Sequence, residues 1–119
     1  PYSDEGAGDW MARYFFTGGI MPSRDLPLRY DDHLEVVEQW RVSGLHYSLT
    51  LEAWLAEMDR NRKLLLPIFD RTYGDESERW FARWRMFFMA CSELFKYRGG
   101  DEWYVAHTLM RPGDSAAGN

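Results

Sequence analysis

Residues 75–97, DESERWFARWRMFFMACSELFKY, carry the strongest structural signal in the chain. Arg85 and Lys96 share one side of a helix with Glu78. The apolar residues cover roughly 140° of the circumference at about 100° per residue; they are Trp80, Phe81, Trp84, Phe87, Phe88, Cys91, Leu94 and Phe95. Asp75 with Glu78 three positions later has the pattern of a capping box. The stretch therefore predicts a long amphipathic helix that packs one broad face against a core.

Shorter elements are predicted on both sides of this helix. Residues 34–42 and 102–110 alternate between apolar and polar side chains, which is typical of strands. Further helices are predicted over residues 10–16, over residues 45–59 and in a stretch that follows to about Tyr73. Pro67 lies inside that last stretch, where a proline kinks a helix or begins a new one. The chain is predicted to be α/β and rich in helix.

Two strands are too few to make a stable sheet by themselves. The apolar side chains of the predicted strands, among them Trp40 and Trp103, need neighbours, and exposed strand edges favour aggregation. We therefore expect these strands to complete a sheet that begins elsewhere.

Composition excludes several classes of function. The 119 residues carry a net charge of −5, which argues against binding to nucleic acid through bulk electrostatics. The one cysteine, Cys91, forms no internal disulfide and lacks the Cys/His spacing of a zinc site, so no metal is expected and a reducing cytoplasm fits. No apolar run reaches the length of a membrane span. The start of the sequence lacks the basic residues and the apolar stretch of a signal peptide. It also lacks an initiator methionine, which processing, the design of an expressed fragment or a cut from a longer chain would each explain.

Cofactor loops are also missing from the sequence. A phosphate-binding loop needs G-x-x-x-x-G-K-[ST], which does not occur. A dinucleotide or adenosyl-cofactor loop needs glycines between a strand and a helix. Gly6-Ala7-Gly8 has no strand before it, and Gly18-Gly19 is not flanked by a strand and an acidic partner. We expect no cofactor-binding residues in this chain.

A few side chains are candidates for chemistry. Cys91 falls in the middle of the apolar helix face and His107 alternates with apolar residues, so both are predicted to pack; His33 has no support for a role. His46-Tyr47 begins a helix after a strand and a glycine, where a titratable ring and a hydroxyl can point into a cleft, although Tyr47 also fits as the first core residue of that helix. The aromatic face formed by Trp84, Phe87 and Phe88 is either core or, in part, the wall of a pocket for an apolar or cationic ligand.

Three stretches carry a resemblance to a known family. Residues 9–23 read DWMARYFFTGGIMPS. The second stretch has Val37, Trp40, Gly44, His46-Tyr47, Thr50, Trp54 and Met58-Asp59, and the third has Trp84-Arg85, Phe87-Phe88, Glu93-Leu94-Phe95, Tyr97, Gly100, Glu102-Trp103 and Val105-Ala106-His107. In order and spacing they resemble the cyclopropane-fatty-acyl-phospholipid synthase superfamily, and above all its branch of coclaurine and pavine N-methyltransferases. Cys91-Ser92-Glu93 is more similar to the lipid-modifying branch.

The resemblance implies a fold and a cofactor. Residues 1–110 would be the C-terminal, substrate-facing part of a Rossmann-like class I methyltransferase domain, with its last two strands and covering helices, and residues 111–119 a flexible tail. S-adenosylmethionine would be bound mainly by an N-terminal half outside this chain, and this chain alone would be inactive. The substrate would be a small amine or an unsaturated fatty acyl chain of a lipid.

The resemblance also implies roles for single residues. Tyr47 matches a tyrosine that helps to hold a bicarbonate base in cyclopropane synthases, which makes it the candidate catalytic residue. Trp84 and Phe87 match positions that line the amine pocket in the N-methyltransferases. Together with the aromatic helix face and the His-Tyr pair, the candidate substrate-binding set is His46, Tyr47, Trp84, Phe87 and Phe88.

The alternative function is not enzymatic. The chain would then be a binding or dimerisation module that has lost the cofactor half, and its strands would pair between two copies in a homodimer. A tight dimer in solution with strand signal would favour this alternative.

Overall fold

A computed structural model describes residues 9–30 and 33–113 of the chain. Its main helices and strands are α1 (Trp10–Tyr14), β1 (Leu34–Val42), α2 (Gly44–Arg60), α3 (Arg62–Tyr73), α4 (Ser77–Lys96) and β2 (Val105–Pro112). Short 3₁₀ turns lie at Leu26–Arg29, Gly74–Glu76 and Tyr97–Gly100. The chain divides into two compact units, one of which is Arg41–Val105 and contains α2, α3 and α4. The other contains α1 and most of the sheet.

Helix α1 is short because its two ends are set by side chains. The Asp9 carboxylate accepts hydrogen bonds from the backbone N–H groups of Met11 and Ala12, at 2.9 and 3.2 Å, which satisfies donors that have no helical partner. At the other end, the Thr17 hydroxyl donates to the carbonyl of Ala12 at 3.0 Å. The helix was predicted to reach residue 16 but ends at Tyr14.

The sheet has two antiparallel strands. The Gln39 amide donates to the Thr108 hydroxyl at 3.1 Å, and the rings of Trp40 and His107 stack at 5.2 Å. Arg111 donates to the Glu35 carboxylate at 2.8 Å. Partner numbers rise on one strand as they fall on the other, which defines the antiparallel register. His107 was predicted to be packed; one face of its ring stacks on Trp40, but the residue as a whole is exposed.

Strand β1 has the predicted bounds, whereas β2 is displaced by two or three residues. It was predicted over residues 102–110 and runs from Val105 to Pro112. The reason lies in the preceding connection, where Arg98 and the two glycines after it adopt positive φ angles. This turn delays the start of the strand, and the strand then includes Arg111 and Pro112. Residues 114–119 of the predicted tail lie outside the described residues.

The break between α2 and α3 falls at Asn61 and not at Pro67. The backbone N–H of Asn61 and its side-chain amide both donate to the carbonyl of Glu57, at 3.0 and 2.9 Å, and so end α2. The carbonyl of Asn61 then accepts from the N–H groups of Leu64 and Leu65, which begins α3. Pro67 lies inside α3, which continues to Tyr73. Of the two predicted effects of this proline, the start of a new helix does not occur, because α3 runs through Pro67 without a break.

The predicted capping box at the start of α4 does not form. A 3₁₀ turn over Gly74–Glu76 precedes the helix, and no side chain caps its first residue, Ser77. Glu78 instead forms an ion pair with Arg62 of α3. The long-range ion pair replaces the local cap because the two helices lie side by side at this point.

The core of the Arg41–Val105 unit lies between α2 and α4. Leu51 and Met58 of α2 and Phe81 and Cys91 of α4 are buried. Two small polar residues, Ser48 and Ser92, are also buried and face each other, with 2.8 Å between their hydroxyl oxygens. The Ser92 hydroxyl oxygen also lies 3.0 Å from a carboxylate oxygen of Glu52, so the buried hydroxyls are satisfied. Short side chains at this crossing let the helices approach closely.

Candidate functional site

An apolar groove of about 530 Å³ lies between helices α2, α3 and α4. Each helix contributes one part of its lining: α2 its C-terminal turns, α3 its first two turns and α4 its middle. The lining residues are Trp54, Glu57, Met58, Asn61, Leu64, Leu65, Phe69, Trp84 and Phe88. Asn61, the residue that joins α2 to α3, is itself part of this lining.

Aromatic rings form a continuous row along this groove. The ring centroids of Trp84 and Phe88 are 5.9 Å apart, and those of Phe88 and Trp54 are 6.1 Å apart. Both pairs are tilted, which is a favourable geometry for aromatic contacts. Trp54 is 47% exposed and Leu64 is 72% exposed, so the groove offers apolar surface to a ligand.

The structure brings two of the five predicted substrate-binding residues into the groove. Trp84 and Phe88 line it, while Phe87 packs behind them with its ring centroid 5.8 Å from that of Trp84. Tyr47 lies one ring further along the row, 6.2 Å from Trp54 and 4.6 Å from Phe95. His46 is exposed in the first turn of α2. The candidate catalytic Tyr47 is therefore partly buried among rings and does not line the groove.

Sequence reasoning missed half of the groove. Trp54 was named only among the residues that carry the family resemblance, and the α3 residues Leu64, Leu65 and Phe69 received no role. Leu65 and Phe69 are four residues apart and so share one helix face. That spacing was the available signal in the sequence.

The groove contains one ionisable side chain among its described lining residues, Glu57. Its carboxylate is 2.6 Å from the Arg60 guanidinium and 3.2 Å from the side-chain nitrogen of Asn61. The side chains of Glu57 and Arg60 are 55% and 69% exposed, and ion pairs this exposed contribute little to stability. A ligand cation can therefore compete with Arg60 for this carboxylate.

Two ion pairs fasten α4 to the other helices beside the groove. Arg85 binds Asp59 through two hydrogen bonds of 2.6 and 2.9 Å, and Arg62 pairs with Glu78. The hydrogen bonds from Arg85 hold the pKa of Asp59 below its usual value, against a smaller opposing effect of burial. The same contact raises the pKa of Arg85. Because Asp59 follows Met58 and Arg85 follows Trp84, this pair fixes the spacing of two groove-lining residues.

Other candidate groups are far less suited to chemistry. Cys91 is buried, as predicted, and burial raises the pKa of its thiol, which makes it a weak nucleophile. Within residues 9–30 and 33–113, no group of three or more His, Cys, Asp or Glu side chains is arranged to hold a metal ion. No helix in this part of the chain is both long and apolar enough to cross a membrane. Gly18-Gly19 follows α1 and not a strand, while Gly6-Ala7-Gly8 lies outside the described residues.

Comparison with known proteins relates the chain to methyltransferases. No protein-family model matches it. The (S)-coclaurine N-methyltransferase of Thalictrum flavum subsp. glaucum is 36% identical over 108 residues, which cover 87% of this chain and 30% of that enzyme. A crystal structure of coclaurine N-methyltransferase bound to N-methylheliamine and SAH is 35% identical, with a TM-score of 0.72 over 89% of this chain and 32% of that one. The chain is homologous to part of the coclaurine N-methyltransferases.

More distant homology extends to lipid-modifying enzymes. The cyclopropane-fatty-acyl-phospholipid synthase of Escherichia coli (strain K12) is 27% identical over 104 residues, which cover 87% of this chain and 25% of the synthase. The chain spans about a third or less of the length of the relatives that it matches. The helix-rich architecture with a two-stranded antiparallel sheet is thus part of a methyltransferase fold, as expected from the resemblance.

Proposed function

We propose that this chain forms the substrate-facing part of an S-adenosylmethionine-dependent methyltransferase that transfers a methyl group to a small amine. The observation that carries the proposal is the aromatic groove between α2, α3 and α4, which lies in a chain homologous to N-methyltransferases. The cofactor, when bound, supplies the electrophilic methyl group. The groove has the wrong composition to hold it, because one carboxylate and one amide are too few polar groups for an amino acid, a ribose and an adenine. We therefore assign the cofactor to residues outside this chain.

Several features of the groove favour an amine over an acyl chain. The faces of Trp54, Trp84 and Phe88 attract organic cations as well as apolar rings. Glu57 adds negative charge at the margin, and none of the described lining residues is basic. An amine with an apolar body matches both features, whereas the lining offers no basic side chain of its own to the phosphate of a phospholipid. The homologue that holds N-methylheliamine supports the same choice.

In this proposal the chain acts mainly by holding its substrate. Trp84 and Phe88 contact the apolar body, and Phe87 supports both rings from behind. An amine must lose its proton before its nitrogen can attack the methyl group. A groove that holds the nitrogen in a fixed position and excludes water then lowers the barrier of the attack through alignment. Tyr47 and His46 remain candidates for contact with the substrate in the full-length protein, with the Tyr47 hydroxyl as the candidate catalytic group.

The lipid-modifying reaction is the rival within the same class. There the chain would contribute to lipid biosynthesis, Tyr47 would help to hold bicarbonate as the base, and an unsaturated acyl chain would occupy the groove. The homology to the Escherichia coli synthase supports this rival. We further propose a cytoplasmic location, because the one cysteine is buried and unpaired in the described chain.

Trp84→Ala in the full-length protein tests the proposal. We expect KM for an aromatic amine to rise at least fivefold, because the variant removes one wall of the groove. Met86→Ala, an exposed neighbour on the same helix, serves as the matched control and should leave the kinetics within twofold. Unchanged kinetics in Trp84→Ala would remove the groove from the substrate site. Turnover of acyl phospholipid that exceeds amine turnover and depends on bicarbonate would favour the rival reaction.

A further inference from the structure

The indole ring of the groove residue Trp84 is held in place by a hydrogen bond to Tyr73. Its indole N–H donates to the hydroxyl oxygen of Tyr73 at 3.2 Å. Tyr73 is the last residue of α3, and Trp84 lies in the middle of α4. The bond therefore joins two of the three helices that form the groove.

Tyr73 is itself fixed in place by ring contacts. It stacks on Trp80 with 4.5 Å between ring centroids and an angle of 11° between the planes, and the Arg83 guanidinium lies 4.8 Å above the Trp80 ring on α4. On its own helix, Tyr73 also contacts Phe69 at 5.4 Å, and Phe69 lines the groove. The Tyr73 hydroxyl is thus a rigidly mounted acceptor, and its ring keeps these contacts even without the hydroxyl.

Indole has one hydrogen-bond donor and no acceptor. Because Tyr73 takes this donor, Trp84 presents apolar ring surface to the groove and has no free N–H to offer a ligand oxygen. The bond also restrains rotation of the indole about its side-chain torsions, which sets the width of the groove at that point. Both effects act on the kind of ligand that fits and not on the chemical step.

We propose that Tyr73 is a positioning residue that sets substrate selectivity by fixing the indole of Trp84 in the groove. The proposal rests on the function proposed above, since it assigns a role to Tyr73 only through Trp84. In the intact enzyme, Tyr73 makes the groove selective for flat, apolar amines. Loss of its hydroxyl releases the indole from its fixed orientation and frees its N–H group. The groove then discriminates less strongly against amines that bear hydrogen-bond acceptors.

The test is a double-mutant cycle in the full-length protein, with Tyr73→Phe, Trp84→Phe and both together. Tyr73→Phe keeps the stacked ring and removes the acceptor. We expect kcat/KM for an apolar aromatic amine to fall by about threefold to tenfold, the effect of one lost hydrogen bond, mainly through KM. For an amine that bears a hydrogen-bond acceptor we expect a smaller fall, so that the ratio of the two kcat/KM values decreases. In the Trp84→Phe background, Tyr73→Phe should have no further effect, because the residue acts through the indole. Tyr97→Phe, an exposed tyrosine elsewhere, is the matched control.

An NMR measurement tests the hydrogen bond between Tyr73 and Trp84 independently of the methyltransferase function proposed above. In ¹⁵N-labelled protein, the indole N–H resonance that disappears in Trp84→Phe belongs to Trp84. We expect Tyr73→Phe to move this resonance upfield, in the direction of a lost hydrogen bond. An unmoved resonance, or additive kinetic effects in the cycle, would overturn the role of Tyr73. A moved resonance without any kinetic change in either Tyr73→Phe or Trp84→Phe would overturn both the selectivity role and the assignment of the groove as the substrate site.

Discussion

Gly44 is a residue at which the Arg41–Val105 unit tolerates no larger side chain without rearrangement. A Cβ atom there would overlap the backbone carbonyl oxygens of Phe95 and Trp103. Backbone atoms cannot move aside as a flexible side chain does, so any larger residue must displace a whole segment. The first turn of α2 therefore lies directly against the end of α4 and the connection that follows it.

We predict that Gly44→Ala destabilises the protein by about 2–4 kcal/mol, as overpacking of backbone against backbone requires. Chemical denaturation followed by circular dichroism measures the change. Ala53→Ser, at an exposed position on the same helix, should change stability by less than about 0.5 kcal/mol. Equal midpoints for Gly44→Ala and the unmutated protein would mean that the close approach at Gly44 does not exist in solution.

At the level of elements, the helices depend on ion pairs as well as on apolar faces. Asp59 near the end of α2 binds Arg85 of α4 with both carboxylate oxygens, and the pKa of Asp59 is lowered as a result. A carboxylate whose pKa is lower in the folded protein contributes stability at pH values above its unfolded pKa. That contribution is lost as the pH falls through the folded pKa.

We predict that Asp59→Asn lowers the melting temperature at pH 7 and reduces the dependence of stability on pH below about 3.8, the usual pKa of aspartate. Thermal unfolding between pH 2 and pH 7 checks both expectations. Glu93→Gln, an exposed carboxylate paired with Lys96, is the control and should have a smaller effect. Identical pH profiles for Asp59→Asn and the unmutated protein would contradict the prediction.

Most elements could be predicted from the sequence, but their junctions could not. Periodicity located β1 with the correct ends and placed α2 and α4 to within two residues. The break between α2 and α3 was predicted to follow residue 59 and lies at Asn61. The role of Asn61 was not predicted, because it ends one helix and starts the next through hydrogen bonds that no local pattern reveals. The capping box at Asp75 failed because Glu78 found a partner on α3, a contact that depends on how the helices pack.

The groove residues that lie on the apolar face of a single helix could be predicted from the sequence. Those that join the groove only when three helices pack together could not. Trp84 and Phe88 belong to the strongest amphipathic pattern, so they were found. Tyr73 and Phe69 come from α3, and their roles arise only from the packing of α3 against α4. The sequence indicated which rings were available, and the structure shows which of them share a groove.

At the scale of the whole molecule, the chain corresponds to about a third of its methyltransferase relatives. Its described part has no strand followed by a glycine-rich turn and a helix of the kind that holds an adenosyl cofactor. Several large apolar side chains are at least half exposed, among them Ile20, Leu49 and Leu64. Such exposed apolar side chains fit the proposal that this chain packs against other residues of a longer protein.

We predict that the 119-residue chain, shown to be folded by circular dichroism, does not bind S-adenosylhomocysteine. Isothermal titration calorimetry should give no heat of binding beyond dilution. The full-length protein serves as the positive control. Micromolar binding by the chain alone would show that we have misplaced the cofactor site, and it would direct attention to Gly6-Ala7-Gly8 and Gly18-Gly19.

The junction at Asn61 has a consequence for how sequence length can vary. One residue closes α2 with its N–H and its side-chain amide, and it opens α3 with its carbonyl. An added residue at this point would separate the end of α2 from the start of α3 and rotate α3 by about 100° relative to α2. Such a rotation would turn Leu65 and Phe69 away from α4. Insertions and deletions among homologous sequences should therefore avoid the joint between these helices.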